Sequence, residues 1–232
     1  MSADAAVPGW HGKLPSLGDF ASRRLDAGFI EPWDGWLAAG LLALREGDAD
    51  GWLDAYLASP SWRFLLMPGV LPGAAGQGAW AGVLMPSVDR VGRYFPFTLA
   101  LPLGDRPATT GQMQSLWHWL ARLDDLAADA LLEDWALDRL EAELARMAGP
   151  ELDAVAEAPA LPSASGAVAV WAQAPGLDAG AAIGAEAQAL WRERAAGRAY
   201  WFASTELGGR RLLVSRGLPA AAAIGNLLGA TI

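Results

Sequence analysis

The sequence contains no cysteine, which excludes disulfides, thiolate metal sites and a cysteine nucleophile. It has only two histidines, His11 and His118, and neither has a second histidine or a carboxylate at ligand spacing. His118, between Trp117 and Trp119, reads as a partly buried residue of a helix. Positive charge is scarce: 17 Lys and Arg against 26 Asp and Glu leave a net charge of −9. Phosphate backbones and anionic membrane surfaces need clustered cations, so nucleic acid and lipid surfaces are not expected partners. No uninterrupted apolar run reaches the roughly 20 residues of a spanning helix. The nearest, residues 217–230, is broken by Gly225 and Asn226 and reads as a packed C-terminal helix. The start, MSADAAVPGW, has neither the basic nor the apolar region of a signal peptide. These absences lead us to expect a cytoplasmic location and no membrane insertion.

Catalytic signatures are also missing. The segment ending in Gly12-Lys13 fails as a phosphate loop, because Val7 holds the first glycine position and Leu14 replaces the hydroxyl. GQGAWA, residues 76–81, has loose dinucleotide spacing, but a strand rather than a helix is expected after it. There is no nucleophile elbow. Asp19 and Asp89 could form a carboxylate pair. Each has arginines close in sequence, and a neighbouring guanidinium lowers a carboxyl pKa and spoils it as a general acid. No cofactor is expected.

What the chain does have is apolar bulk: 53% hydrophobic residues and twelve tryptophans in 232 residues. Periodicity turns Trp36, Trp52, Trp117 and Trp191 inward, so tryptophan is mainly core, with some left for interfaces. Short strands are expected at residues 8–15, 61–68, 79–86, 95–103, 167–172, 199–204 and 210–215. Helices are expected over residues 31–45, 50–59 and 181–194. A longer helical stretch spans 110–148 with a break near 128–133, and Asp19 could cap a helix. Strands and helices interleave, which predicts an α/β fold: a layered αβα sandwich with a central mixed sheet flanked by helices. One domain is expected over residues 9–232, after a flexible tail at 1–8 and with an internal loop at 149–165.

The stretch MPSVDRVGRYFPFTL, residues 85–99, sets Asp89, Arg90 and Arg93 between two apolar strands. A link this tight makes an antiparallel hairpin. Two roles remain open for its charges. One is a structural ion pair, with Asp89 accepting turn amides and an arginine. The other is a surface that docks a partner.

GKLPSLGDF, residues 12–20, together with MPSVDRVGRYFPFTL resembles the TagF family, also called ImpM, of type VI secretion-associated proteins. FIEPWDGWL, AWAGVLMPS, YWFAS and RRLLVSRGLP resemble it as well, so the likeness runs over about residues 9–219. Phe97 stands where leucine is expected and Leu17 where arginine is common. Residues 110–165 carry little of the resemblance. The resemblance implies a layered α/β protein without catalytic activity. It implies a cytoplasmic post-translational repressor of type VI secretion, acting through a forkhead-associated scaffold protein. Lys13, Asp19, Asp89, Arg90, Arg93 and Phe95 lie in the family motifs, as an ion-pair or docking set. The alternatives are a hydrolase or nucleotide-binding enzyme using Asp19, Asp89 and Lys13, or a structural component of the secretion apparatus.

Overall fold

The structure, a computed structural model, describes residues 7–107, 109–147, 149–152, 179–204 and 209–229. Its strands are β1 (Gly9–Gly12), β2 (Ala21–Arg23), β3 (Trp62–Leu66), β4 (Ala79–Met85), β5 (Phe97–Gly104), β6 (Arg198–Ser204) and β7 (Arg210–Arg216). Its helices are α1 (Ala27–Gly47), α2 (Trp52–Leu57), α3 (Thr110–Leu132), α4 (Leu137–Arg146), α5 (Ala179–Ala195) and α6 (Gly225–Leu228). The strands form one sheet in the order β2-β1-β5-β4-β3-β6-β7.

The expected layered α/β architecture is present. The sheet, however, is antiparallel at every pairing rather than mixed. Interleaved helices had suggested parallel crossovers. Instead the helices cover the two faces, and each inner strand lies between neighbours that run the opposite way.

Alternation along the strands builds two cores. On one face Leu116, Leu120 and Leu123 of α3 and Leu140 and Leu144 of α4 pack on Ala81, Val83, Phe97 and Leu99. On the other, Phe29, Trp33 and Leu37 of α1 and Leu227 and Leu228 of α6 pack on Phe64, Leu66, Trp80 and Trp201. Strand β4, AWAGVLM, is buried at every position, as its unbroken apolar run requires in a central strand. Each large apolar side chain buried this way contributes roughly 1.5–3 kcal/mol.

Tryptophan is mainly core. Trp10, Trp33, Trp62 and Trp201 are fully buried. Trp33 Nε1 donates to Thr98 Oγ1 at 2.9 Å and Trp62 Nε1 to the Leu227 carbonyl at 2.6 Å, so their polar ends are satisfied inside. Trp36, Trp52, Trp117 and Trp191 are half-buried.

Several boundaries differ from expectation. Asp19 caps no helix; it lies in a bend, its carboxylate accepting from the Phe20 amide at 2.8 Å. Arg24, at φ 57°, turns the chain out of the short β2, and α1 is capped by Asp26, whose carboxylate accepts from the Phe29 amide. The long helical stretch breaks after Leu132, within the expected 128–133, and Ala127 and Ala130 before it still pack into the core. Asp134, at φ 49°, makes the turn. His118 is exposed, not partly buried, because α3 turns Leu116, Trp119 and Leu120 to the core instead. Residues 217–229 form a 3₁₀ turn, Ala221–Ala223, and the short α6 rather than one helix, although Ile224, Leu227 and Leu228 are buried. The strand expected at 167–172, and the loop of 149–165 beyond Leu152, lie outside the described residues.

Candidate functional site

The expected hairpin joins β4 to β5, and a single bridge between Val88 and Tyr94 extends it. Its tip is organised around Asp89. The Asp89 amide donates to the Arg93 carbonyl at 3.0 Å, and Gly92 adopts φ +81°, a conformation that favours glycine. Oδ1 of Asp89 accepts the amides of Val91 at 3.0 Å and Arg93 at 2.9 Å. Oδ2 accepts Lys13 Nζ and Arg93 Nε, both at 2.7 Å. The Asp89 side chain is fully shielded and that of Lys13 nearly so, whereas the Arg93 side chain is 51% exposed.

Burial alone would push the Asp89 carboxyl up. The Lys13 ammonium, the Arg93 amide and guanidinium and the Val91 amide outweigh it and hold the carboxyl well below the usual carboxylate range. All acceptor directions of the carboxylate are occupied by protein donors. That arrangement suits a structural anchor and leaves no lone pair for a substrate proton.

Lys13 follows β1, which pairs with β5 and so is carried beside the hairpin. Gly12 makes the turn possible. At φ +125° its hydrogen faces the Pro96 carbonyl, where a Cβ would lie 2.1 Å from the oxygen. The two motifs are then stitched together along their length. Ser87 Oγ donates to the Lys13 carbonyl at 2.7 Å, and the Arg90 amide to the Leu17 carbonyl at 3.2 Å. The Arg93 guanidinium reaches the Gly18 carbonyl and approaches Asp19 at 3.7 Å. From below, the buried Tyr56 hydroxyl donates to the Ser87 carbonyl at 2.9 Å and accepts the Ser87 amide at 2.8 Å. Burial raises the Tyr56 pKa far above its ordinary value, against the opposing effect of the Ser87 hydrogen bond.

An aromatic group roofs the pair. The Lys13 ammonium lies 4.2 Å from the centre of the Phe20 ring, and Phe20 meets Phe95 edge-on at 4.8 Å. Phe95 is buried while Phe20 is 46% exposed. His11 lies against both rings, and its Nε2 is 3.1 Å from Asp34 Oδ1.

The six motif residues therefore converge, but in unequal roles. Asp89 pairs with Arg93 as one of the two arginines expected. Arg90 makes no ion pair among the described residues and is tied only through its backbone. The buried partner of Asp89 is Lys13, which reasoning from sequence neighbours missed. A signal existed: Lys13 is the only lysine in the sequence, the other sixteen basic residues being arginine. An arginine fork at this position would have to fit its bulk under Phe20, whereas a single ammonium fits as a point charge. Asp19 is not part of a carboxylate pair with Asp89. Its side chain is 85% exposed and meets Arg93 only weakly. Outside the anchored core stand Phe20, Val91, Arg90 and Arg93, with Val91 64% exposed. No helix among the described residues is long and apolar enough to cross a membrane.

No curated protein matches the chain. Among solved structures, PA0076 from Pseudomonas aeruginosa PAO1 is 33% identical, with a TM-score of 0.73 over 97% of this chain and 95% of that one. The family model of the TagF N-terminal domain, type VI secretion system-associated, matches residues 9–147, which hold both motifs and the whole Lys13–Asp89 site. The match covers more than half of the sequence, and the chain belongs to the TagF family of type VI secretion system-associated proteins.

Proposed function

We propose that this protein is a non-enzymatic cytoplasmic repressor of type VI secretion that acts by binding a forkhead-associated scaffold protein and holding it back from assembly. Family membership supports the secretion system as its setting. The observation that carries the docking reading is the division of labour at the hairpin. The acid and the lysine are spent on each other inside, while Phe20 and Val91 remain exposed beside Arg90 and Arg93. Half-exposed aromatics flanked by arginine are what interface hot spots are made of. The rim is held rigid by the bonds beneath it, so docking there costs little ordering entropy.

The experiment is a binding assay between the purified protein and the forkhead-associated scaffold of the same cell. Arg90→Ala and Val91→Asp should each weaken binding about ten-fold or more while leaving the melting temperature near that of the wild type. In the cell, deletion should raise secretion under quiet conditions and overproduction should suppress it. Secretion that responds to neither sinks the repressor reading, and undiminished scaffold binding by both variants sinks the docking face.

A further inference from the structure

The hairpin site lies beside β1 near one end of the sheet. At the other end β7 is an edge strand among the described residues, about 24 Å from β1 at the usual strand spacing. We infer that β7 and the apolar groove beside it accept an extended acidic segment of a partner protein as an additional strand. The register β6–β7 fixes which side chains share a face. Phe202 is opposite Leu212 and Tyr200 opposite Val214, and on β3 Leu65 is opposite Tyr200. These residues face the side covered elsewhere by α3. There α3 and α5 leave a groove of about 550 Å³, floored by Tyr200, Phe202 and Leu212 and walled by Trp117 and Trp191. Leu212 is 67% exposed and Val214 44% exposed. The apolar floor therefore runs out to the sheet edge, where β7 turns its second row of backbone donors and acceptors away from β6.

Charge selects the occupant. The protein carries −9, yet β7 holds Arg210, Arg211 and Arg216 and no acid. Arg198 stands directly opposite Arg216. None of these four arginines has an ion-pair partner among the described residues. On the groove face the strand reads Arg210, Leu212, Val214, Arg216: two apolar residues between two cations. Arginines on an edge strand also guard against unwanted pairing, and here they guard against a second copy in particular. Antiparallel self-pairing centred on Leu213 would set Arg210 opposite Arg216, like charges face to face. The same arrangement favours a segment with acids at the two ends and apolar residues at alternate central positions. Cross-strand pairs would then be acid to Arg210, apolar to Leu212, apolar to Val214 and acid to Arg216. Seven residues span about 23 Å, so a short extended stretch suffices.

The test uses the full chain and two synthetic peptides, Glu-Thr-Val-Thr-Val-Thr-Glu and its counterpart with lysine at both ends, each labelled for anisotropy. The acidic peptide should bind at least about ten-fold more tightly than the basic one, and the preference should shrink between about 0.05 M and 0.5 M salt. Leu212→Asp should abolish binding. The double variant Arg210→Glu with Arg216→Glu should reverse the preference, a gain that mere misfolding would not produce. Hydrogen exchange should show new protection of β7 amides with the acidic peptide. Three results overturn the inference. One is no binding of either peptide below about 1 mM. Another is that the β7 amides facing away from β6 are already protected in the free monomer. The third is a dimer in sedimentation that dissociates in Leu212→Asp, which would make a second copy the occupant.

Discussion

The Lys13 ammonium and the Asp89 carboxylate meet at 2.7 Å with both side chains shut off from water, across 76 residues of sequence. Arg93 touches the same carboxylate oxygen at the same distance, but with half its side chain in solvent. The two contacts are alike in length and unlike in worth. Lys13→Met should leave a buried carboxylate short of its inner partner and lower stability by about 3–5 kcal/mol. Arg93→Ala should cost about 1 kcal/mol or less from the ion pair itself, because solvent screens it. Chemical denaturation of the two variants checks the ranking, and equal losses would contradict it.

The pH dependence follows from the same carboxyl. Its folded pKa is held below the unfolded value, opposing the effect of burial, by Lys13, by the amides of Arg93 and Val91 and by the Arg93 guanidinium. A depressed pKa contributes stability that is complete above the unfolded value, about 3.9, and is lost as pH falls from there through the folded value. The gap in melting temperature between wild type and Asp89→Asn should thus be flat from neutral pH to about 5 and narrow steadily below about 4. A gap that is constant down to about pH 2 would show that the carboxyl is not perturbed as described.

Tyr56 supplies a third test. Its hydroxyl serves both the amide and the carbonyl of Ser87 in a buried setting. Tyr56→Phe strands both groups and should cost about 1–3 kcal/mol, read as a fall in denaturation midpoint. Burial also raises its pKa, so the folded wild type and Tyr56→Phe should show the same phenolate absorbance on alkaline ultraviolet titration. Its ionisation should appear only with unfolding in alkali.

Gly12 and Gly92 both adopt positive φ, yet substitution should separate them. An alanine at Gly92 meets open space and should cost about 1–2 kcal/mol of backbone strain. At Gly12 the new Cβ would lie 2.1 Å from the Pro96 carbonyl oxygen, which cannot yield without breaking β1 from β5. Gly12→Ala should lose about 3 kcal/mol or more and much of its soluble yield. Similar melting curves for the two variants would refute the steric account.

Strand and helix existence was legible where periodicity is strong: β4 and β5 read plainly from apolar runs, and α1 from Trp33, Leu37 and Leu41. Strand direction was not, because interleaved helices are compatible with either sense of return. The β4–β5 link was the exception, since its shortness alone forces antiparallel pairing. At the site, the pairing of Asp89 with Arg93 was within reach because it is local, four residues apart. Lys13 was out of reach because nothing local points across 76 residues; only the β1–β5 register delivers it. Asp19 misled because an acid before a run of apolar and basic residues looks like a cap, while the next few residues in fact form an edge strand.

The isolation of Lys13 reaches into the laboratory. With no other lysine in the sequence, the folded protein hides its whole stock of side-chain amines under Phe20. Acylation read at Lys13 will therefore count unfolded molecules and pass over folded ones, an internal gauge of opening at this one turn. Cross-linkers that bridge amines will capture no neighbour through a lysine of the native surface. Trapping a partner on either edge of the sheet calls for reagents directed at arginine or carboxylate.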